Sequence, residues 1–176
     1  MRILGAVLAG GRSSRFGSDK ALALLDGVAL LDHAVTALAP FCAAVVVCGR
    51  DDPRHITLAD RPAPGMGPLG GLNAALHKAL AEDYAGVLVT GCDMPRFPKA
   101  LADALIGEQA AVLDGQHLAA WWPAALAPLL DTHLAQSERH SLRGWMERVN
   151  PRVVYRPDLD LPNINRPADL AALEPR

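Results

Sequence analysis

The chain has 176 residues, 51% apolar and 20% charged, with a net charge of −2 at pH 7. That length is enough for one domain with a real core, and the near-neutral balance argues against a nucleic-acid or membrane-surface partner. Cys42, Cys48 and Cys92 lack CxxC spacing and finger-like histidine partners. They therefore read as reduced thiols of a cytoplasmic protein rather than a disulfide or zinc framework.

The apolar run Ile3 to Leu8 ends at Gly10-Gly11, which predicts a short buried parallel strand. It is too short for a secretory leader, and no stretch approaches the roughly 18 apolar residues of a membrane span. Leu30, Leu31, Ala34, Val35 and Leu38 recur at helical spacing, with Pro40 as the stop, and Ala44 to Cys48 is a second strand. His55 precedes a short strand. Gly65 to Gly71 reads as a glycine-rich loop that leads into a helix carrying Leu72, Ala75, Leu76, Ala79 and Leu80.

Val87 to Thr90 is a further central strand, closed by Gly91-Cys92-Asp93-Met94-Pro95. A helix near 98–106, a short strand at 111–113 and an extended run near 117–122 follow. Helices at roughly 123–135 and 141–149, a strand at 152–155 and a last helix opened by Pro167 complete the order. Strands alternating with helices predict a mostly parallel sheet covered on both faces. In such sheets ligands bind outside the carboxyl ends of the strands, so the loops after Leu8, Cys48 and Thr90 should share one edge. No repeat, linker or domain boundary interrupts residues 1–176.

The loop after the first strand concentrates Gly10, Gly11, Arg12, Ser13, Ser14, Arg15, Gly17 and Lys20. Glycines let backbone amides approach phosphate oxygens, and the basic side chains add charge suited to an anion. An ordinary turn with solvated basic residues explains one glycine and one arginine, not this concentration. The P-loop pattern fails because Gly17 is followed by Ser18-Asp19-Lys20, and the dinucleotide fingerprint fails at Gly10-Gly11-Arg12. The loop therefore reads as a phosphate cradle of another kind, suited to the triphosphate of a nucleotide.

Asp93, at the carboxyl end of its strand, is placed to hold Mg²⁺ against phosphates; by itself it is equally a turn former before Pro95. Gly67 to Gly71 either brings backbone near a base or ribose or makes a tight helix entry. Trp121-Trp122 either packs or flanks a planar ring. His33, His55 and His77 are not bracketed by carboxylates in sequence and read as satisfied histidines. Ser13 and Ser14 have no His–Asp partner.

Together these segments resemble a known family. Leu8-Ala9-Gly10-Gly11 with Ser14-Arg15-Phe16-Gly17 and Asp19-Lys20 is similar to the LAGG…R-[M/F]-G…DK signature of nucleotidyltransferases. Gly67-Pro68-Leu69-Gly70-Gly71-Leu72 resembles the GPLAG segment of the molybdenum cofactor guanylyltransferases. Cys92-Asp93-Met94-Pro95 resembles their CD-[MT]-P metal site, and Asn163-Ile164-Asn165-Arg166-Pro167-Ala168-Asp169-Leu170 their N-[IFV]-N-T-P-E-[DE]-L segment. Four motifs in order, from residue 8 to residue 170, cover nearly the whole chain. Gly49-Arg50 departs from an asparagine–arginine pair common in the family, and Arg166 replaces a threonine.

The resemblance implies a three-layer Rossmann-like α/β fold of the nucleotide-diphospho-sugar transferase type. It also implies transfer of GMP from Mg-GTP to molybdopterin, with release of pyrophosphate. Carried over, Leu8, Ala9 and Gly10 would meet guanine and ribose, and Gly11, Arg15 and Lys20 the triphosphate. Asp60 would lie near guanine, Asp93 would bind Mg²⁺, and Asn163 and Asn165 would face the acceptor. Arg15, Lys20 and Asp93 would carry catalysis by positioning and charge stabilisation of an in-line displacement. Transient contacts with cofactor-synthesis proteins or molybdoenzyme chaperones are further expectations. Rival readings are a cytidylyl- or sugar-phosphate nucleotidyltransferase, against which GPLGG and the short chain argue, and a non-catalytic GTP-binding delivery module. Joint retention of Lys20 and Asp93 argues against the module.

Overall fold

In the computed structural model, which describes residues 1–10 and 19–173, β1 (Ile3–Leu8) leads toward a 3₁₀ turn at Lys20–Leu22. A small hairpin of β2 (Leu24–Leu25) and β3 (Val28–Ala29) runs into α1 (Leu30–Leu38). Then come β4 (Ala44–Cys48), β5 (Ile56–Leu58), α2 (Pro68–Ala81), β6 (Gly86–Gly91) and α3 (Lys99–Leu105). The chain continues through β7 (Ala111–Leu113), β8 (Gln116–Pro123), α4 (Ala127–Gln136), α5 (Leu142–Val149), β9 (Arg152–Val154) and α6 (Pro167–Leu173).

Seven strands form one sheet in the order β5-β4-β1-β6-β8-β7-β9. All pairings are parallel except those of β8, which runs antiparallel to both β6 and β7. The central strands read as unbroken apolar runs because both of their faces are covered. Every residue of β6 is buried, and so are the first five of β1.

Two apolar layers sandwich the sheet. On one face Leu31, Ala34 and Leu38 of α1 and Leu101, Ala102 and Leu105 of α3 pack on Ile3, Val7, Val47 and Leu88. On the other face α2, α4 and α5 pack on Leu4, Ala6, Val46, Val87 and Val89. Trp121 and Trp122 are neighbours on β8, so their side chains leave opposite faces and one fills each layer. Both are 1% exposed, and Trp121 Nε1 donates to Gly107 O at 2.7 Å. Packing is thus their role, and neither lines the cleft described below.

The expected elements are present, with three differences. Pro68 to Gly71 is not a loop but the first turn of α2, with Pro68 at the position where its missing N–H costs nothing. Residues 123–126 finish β8 and make a 3₁₀ turn before α4 begins. The hairpin β2–β3 is an addition to the expected elements; it and β7–β8 turn at Asp26-Gly27 and Asp114-Gly115, two Asp-Gly pairs of the type that short hairpin turns favour.

Candidate nucleotide-binding cleft

The loops after β1, β4 and β6 open on the same edge of the sheet. They line a cleft of about 270 Å³ with Leu8, Ala9 and Gly10, with Cys48 and Gly49, and with Gly91, Cys92 and Asp93. This is the point where the strand order reverses, with β4 on one side of β1 and β6 on the other. Asp19 and Lys20 enter from the end of the first loop, and Asp60, Gly67, Pro68 and Gly71 complete the lining.

The wall between β1 and β4 is made of bare backbone. Ala9 N–H extends the β1–β4 ladder by donating to Cys48 O at 3.0 Å. Beyond it Gly10 and Gly49 touch: a Cβ on Gly49 would lie 2.7 Å from Gly10 Cα, and one on Gly10 would lie 2.9 Å from Gly49 Cα. Gly49 also sits at φ +83°. Glycine at 49 therefore follows from the close approach of two backbones and from the left-handed conformation.

Lys20 and Asp93 meet inside the cleft. Lys20 Nζ lies 3.6 Å from Asp93 Oδ2 and donates to Ile164 O at 2.8 Å; both charged side chains are less than a fifth exposed. Asp93 is held from behind by Met94 and Phe97, buried in the α1–α3 layer. Gly91 leaves the hollow that its carboxylate occupies, since a Cβ there would collide with Asp93 Oδ1. Ile164 N–H donates to Asp93 O at 2.9 Å. The C-terminal motif thus clamps Lys20 through one backbone group of Ile164 and the Asp93 loop through the other.

Asp60 reaches the cleft from the segment between β5 and α2. Its carboxylate accepts from the Gly65 and Met66 amides, while Oδ1 is buried without a hydrogen-bond partner among the described residues. Burial pushes its pKa above the ordinary carboxylate value. An orphan acceptor on a cleft wall is suited to a ligand N–H. The first turn of α2 stands beside it, and a helix N-terminus carries partial positive charge.

Arg50, the residue after Gly49, donates to Asp19 Oδ1 and Oδ2 at 3.0 and 2.8 Å. Sequence reasoning marks Arg50 only as part of a departure and assigns Asp19 no role of its own. The three cysteines are unbridged. Burial pushes the Cys48 thiol up to about 12 and that of Cys92 up to about 11, the latter with help from Asp93. Both are inert near neutral pH.

Of the expected site residues, the structure gathers Leu8, Ala9, Gly10, Lys20, Asp60 and Asp93 around one cleft. Gly11 and Arg15 lie outside the described residues. Asn163 and Asn165 are exposed and absent from the cleft lining; the residue between them, Ile164, makes the contacts. The histidines are satisfied elsewhere: His33 by Leu25 O, His55 by Asp32 and His77 by Asp131.

A family model described as the MobA-like NTP transferase domain matches residues 5–154. The chain is 35% identical to a molybdenum cofactor guanylyltransferase of Rhodobacter capsulatus, over 100% of this chain and 97% of that protein. It is 34% identical to one of Acidiphilium cryptum, over 96% and 92%. Among solved structures, molybdopterin-guanine dinucleotide biosynthesis protein A from Archaeoglobus fulgidus matches with a TM-score of 0.74 at 25% identity, over 97% and 96% of the two chains. A 2-C-methyl-D-erythritol 4-phosphate cytidylyltransferase from Thermus thermophilus shares the fold at a TM-score of 0.66 and 16% identity, over 99% and 96%. With the family model across most of its length and relatives of this identity at full coverage, the chain is a nucleotidyltransferase and belongs to the molybdenum cofactor guanylyltransferase family.

Proposed function

We propose that residues 1–176 act as a single nucleotidyltransferase domain that transfers GMP from GTP to the terminal phosphate of molybdopterin. The observation that carries this reading is the convergence of Lys20, Asp93 and the orphan acceptor of Asp60 on one cleft at the carboxyl ends of β1, β4 and β6. The named functions of the relatives support the choice of substrates.

In this reading the backbone of Leu8, Ala9 and Gly10 faces the nucleoside, and Asp60 Oδ1 accepts from the guanine N–H edge. Cytosine, which offers a different donor pattern, would fit the same wall less well. Lys20, with Gly11 and Arg15 of the first loop, holds the triphosphate. An oxygen of the acceptor phosphate bonds to the α-phosphorus while the bond from that phosphorus to the bridging oxygen breaks. Pyrophosphate leaves with the bonding electrons, and Lys20 and Arg15 offset the charge that builds on it. Asn163 and Asn165 face the acceptor side.

Asp93 fits a Mg²⁺ ligand. Its hard oxygens are partly exposed, its carboxylate sits in the hollow left by Gly91, and it already faces a cation in Lys20. Mg²⁺ is commonly held by one or two carboxylates with substrate phosphates completing the shell. Bound there, the ion would neutralise phosphate charge. We place the enzyme in the cytoplasm, acting alongside cofactor-synthesis or molybdoenzyme chaperone proteins. Among the described residues no helix is long and apolar enough to cross a membrane.

The test is pyrophosphate release from GTP, CTP, ATP and UTP, with and without molybdopterin and Mg²⁺. Release with GTP that depends on both is expected. Equal or greater release with CTP would overturn the guanine assignment, and GTP binding without release would make the chain a delivery module.

A further inference from the structure

The Asp19–Arg50 pair has geometry that stability does not explain. The Asp19 side chain is 47% exposed and that of Arg50 19%, and pairs this open to solvent contribute little to folding. Yet the pair is bidentate, the Arg–carboxylate arrangement with the strictest geometry. The guanidinium holds the Asp19 carboxyl below the ordinary carboxylate value.

Each partner is anchored at its other end. Arg50 follows Gly49, whose backbone is pressed against Gly10, so the stem of the arginine leaves from a fixed point on the cleft wall. Its Nε is buried with no hydrogen-bond partner among the described residues, which leaves the two bonds to Asp19 to orient the guanidinium. Asp19 in turn caps the turn Lys20–Leu22: Oδ1 accepts from Ala21 N–H at 3.2 Å, and Asp19 O accepts from Leu22 N–H at 3.1 Å. Ala21 of that turn is buried at 2% exposure. The backbone under Lys20 is therefore fixed between a capped end and a buried alanine. From it the ammonium reaches Ile164 O and Asp93.

We propose that Asp19 and Arg50 are a positioning pair that sets the backbone beneath Lys20 and so aims its ammonium at the phosphates undergoing transfer. This rests on the nucleotidyl-transfer reading above. The pair couples the loop after β4 to the end of the loop after β1, and Arg50 also cancels the negative charge that Asp19 would otherwise place beside Lys20. Small misplacements of a charge-stabilising group lower turnover far more than they lower affinity, because the interaction strengthens in the transition state.

The experiment uses the full chain with GTP, Mg²⁺ and molybdopterin, and compares D19N, R50K, R50Q and the double variant D19N/R50Q. Asparagine is as good a helix cap as aspartate, so D19N keeps the turn and loses the charged fork. R50K keeps the charge and loses the fork. Each single variant should lose about tenfold in kcat with the GTP KM within about twofold of wild type, and the double variant should lose no more than either single, as expected of two residues acting as one unit. Thermal midpoints without nucleotide should stay near wild type. Unchanged kcat in D19N and R50Q, an R50K variant equal to wild type, a change confined to KM, or losses that multiply in the double variant would each overturn the pair. A wild-type chain that releases no pyrophosphate would instead overturn the transfer reading itself.

Discussion

Alanine at position 70 sets two effects of known size against each other. Gly70 is the third residue of α2, and the GPLAG segment that it resembles carries alanine there. Helix propensity alone favours Gly70→Ala by about 1 kcal/mol. In this chain, however, the new Cβ would lie 2.7 Å from Met66 Cβ and 2.9 Å from Asp60 Cβ and Cγ. Those atoms are not the free ends of flexible side chains, and Arg61 N–H ties their segment to Gly70 O at 3.1 Å. Overpacking of this kind costs about 1–3 kcal/mol, so the net effect is a loss of about 1 kcal/mol. For a chain of this size that lowers the melting temperature by roughly 2–4 °C. Relief of the clash pushes Asp60 away from the cleft, so the GTP KM should rise about three- to tenfold with kcat less affected. Differential scanning fluorimetry with and without GTP, followed by steady-state kinetics, reads both quantities. A Gly70→Ala protein with an equal or higher melting temperature and an unchanged GTP KM would refute the steric argument and the placement of Asp60 together.

Other outcomes follow from the same geometry. Lys20→Ala should cut turnover about 10²- to 10³-fold, as expected for one charge-stabilising group. Its thermal midpoint should fall only slightly, from the bond lost at Ile164 O; normal turnover in the folded variant would remove Lys20 from the reaction. Asp60→Asn should keep or raise the midpoint without nucleotide, because burial disfavours the charged carboxylate, and should abolish the stabilisation given by GTP. A retained GTP shift would exclude Asp60 from base recognition. His133 is buried against Trp145, and burial, with the charges of Arg148 and His140, lowers its pKa below the ordinary histidine value. Between the folded and unfolded pKa values the unfolded chain then holds more protons, so stability falls as pH drops through about 6.5 and stops falling below the folded pKa. Urea unfolding near neutral pH and one unit below 6.5 should show this decline in wild type and lose it in His133→Gln. An identical decline in the variant would assign it to other groups.

The parts of the site that announce themselves in the sequence are those whose chemistry lies in the side chain. Lys20 and Asp93 stand out because basic residues and a strand-terminal carboxylate are unusual beside buried strands. Ile164 is as important to Lys20 as Asp93 is, yet it acts through its carbonyl and amide, which every residue possesses. Arg50 meets Asp19 across 31 positions, a contact that exists only once β1 and β4 pair in register. Direction is equally silent: the extended run before Pro123 is legible as a strand, but nothing in its pattern distinguishes an antiparallel β8 from a parallel one. The Asp-Gly pairs at 26–27 and 114–115 did carry a hairpin signal. Gly70 and Gly71 look like loop residues by composition. They lie in a helix nonetheless, and are glycine there because Asp60, Met66, Cys48 and Leu8 press too close for a Cβ.

The contact between Gly10 and Gly49 also limits how this enzyme could come to use a different nucleotide. Two backbones in van der Waals contact leave no volume to trade, so neither position can accept a side chain, and a paired exchange would only double the clash. Variation on that side of the cleft is closed. The Asp60 segment stands next to that contact, and its residues 61–64 are exposed and belong to neither core layer. New base preferences in descendants of this chain should therefore accumulate between β5 and α2, where side chains can change beside a backbone contact that cannot.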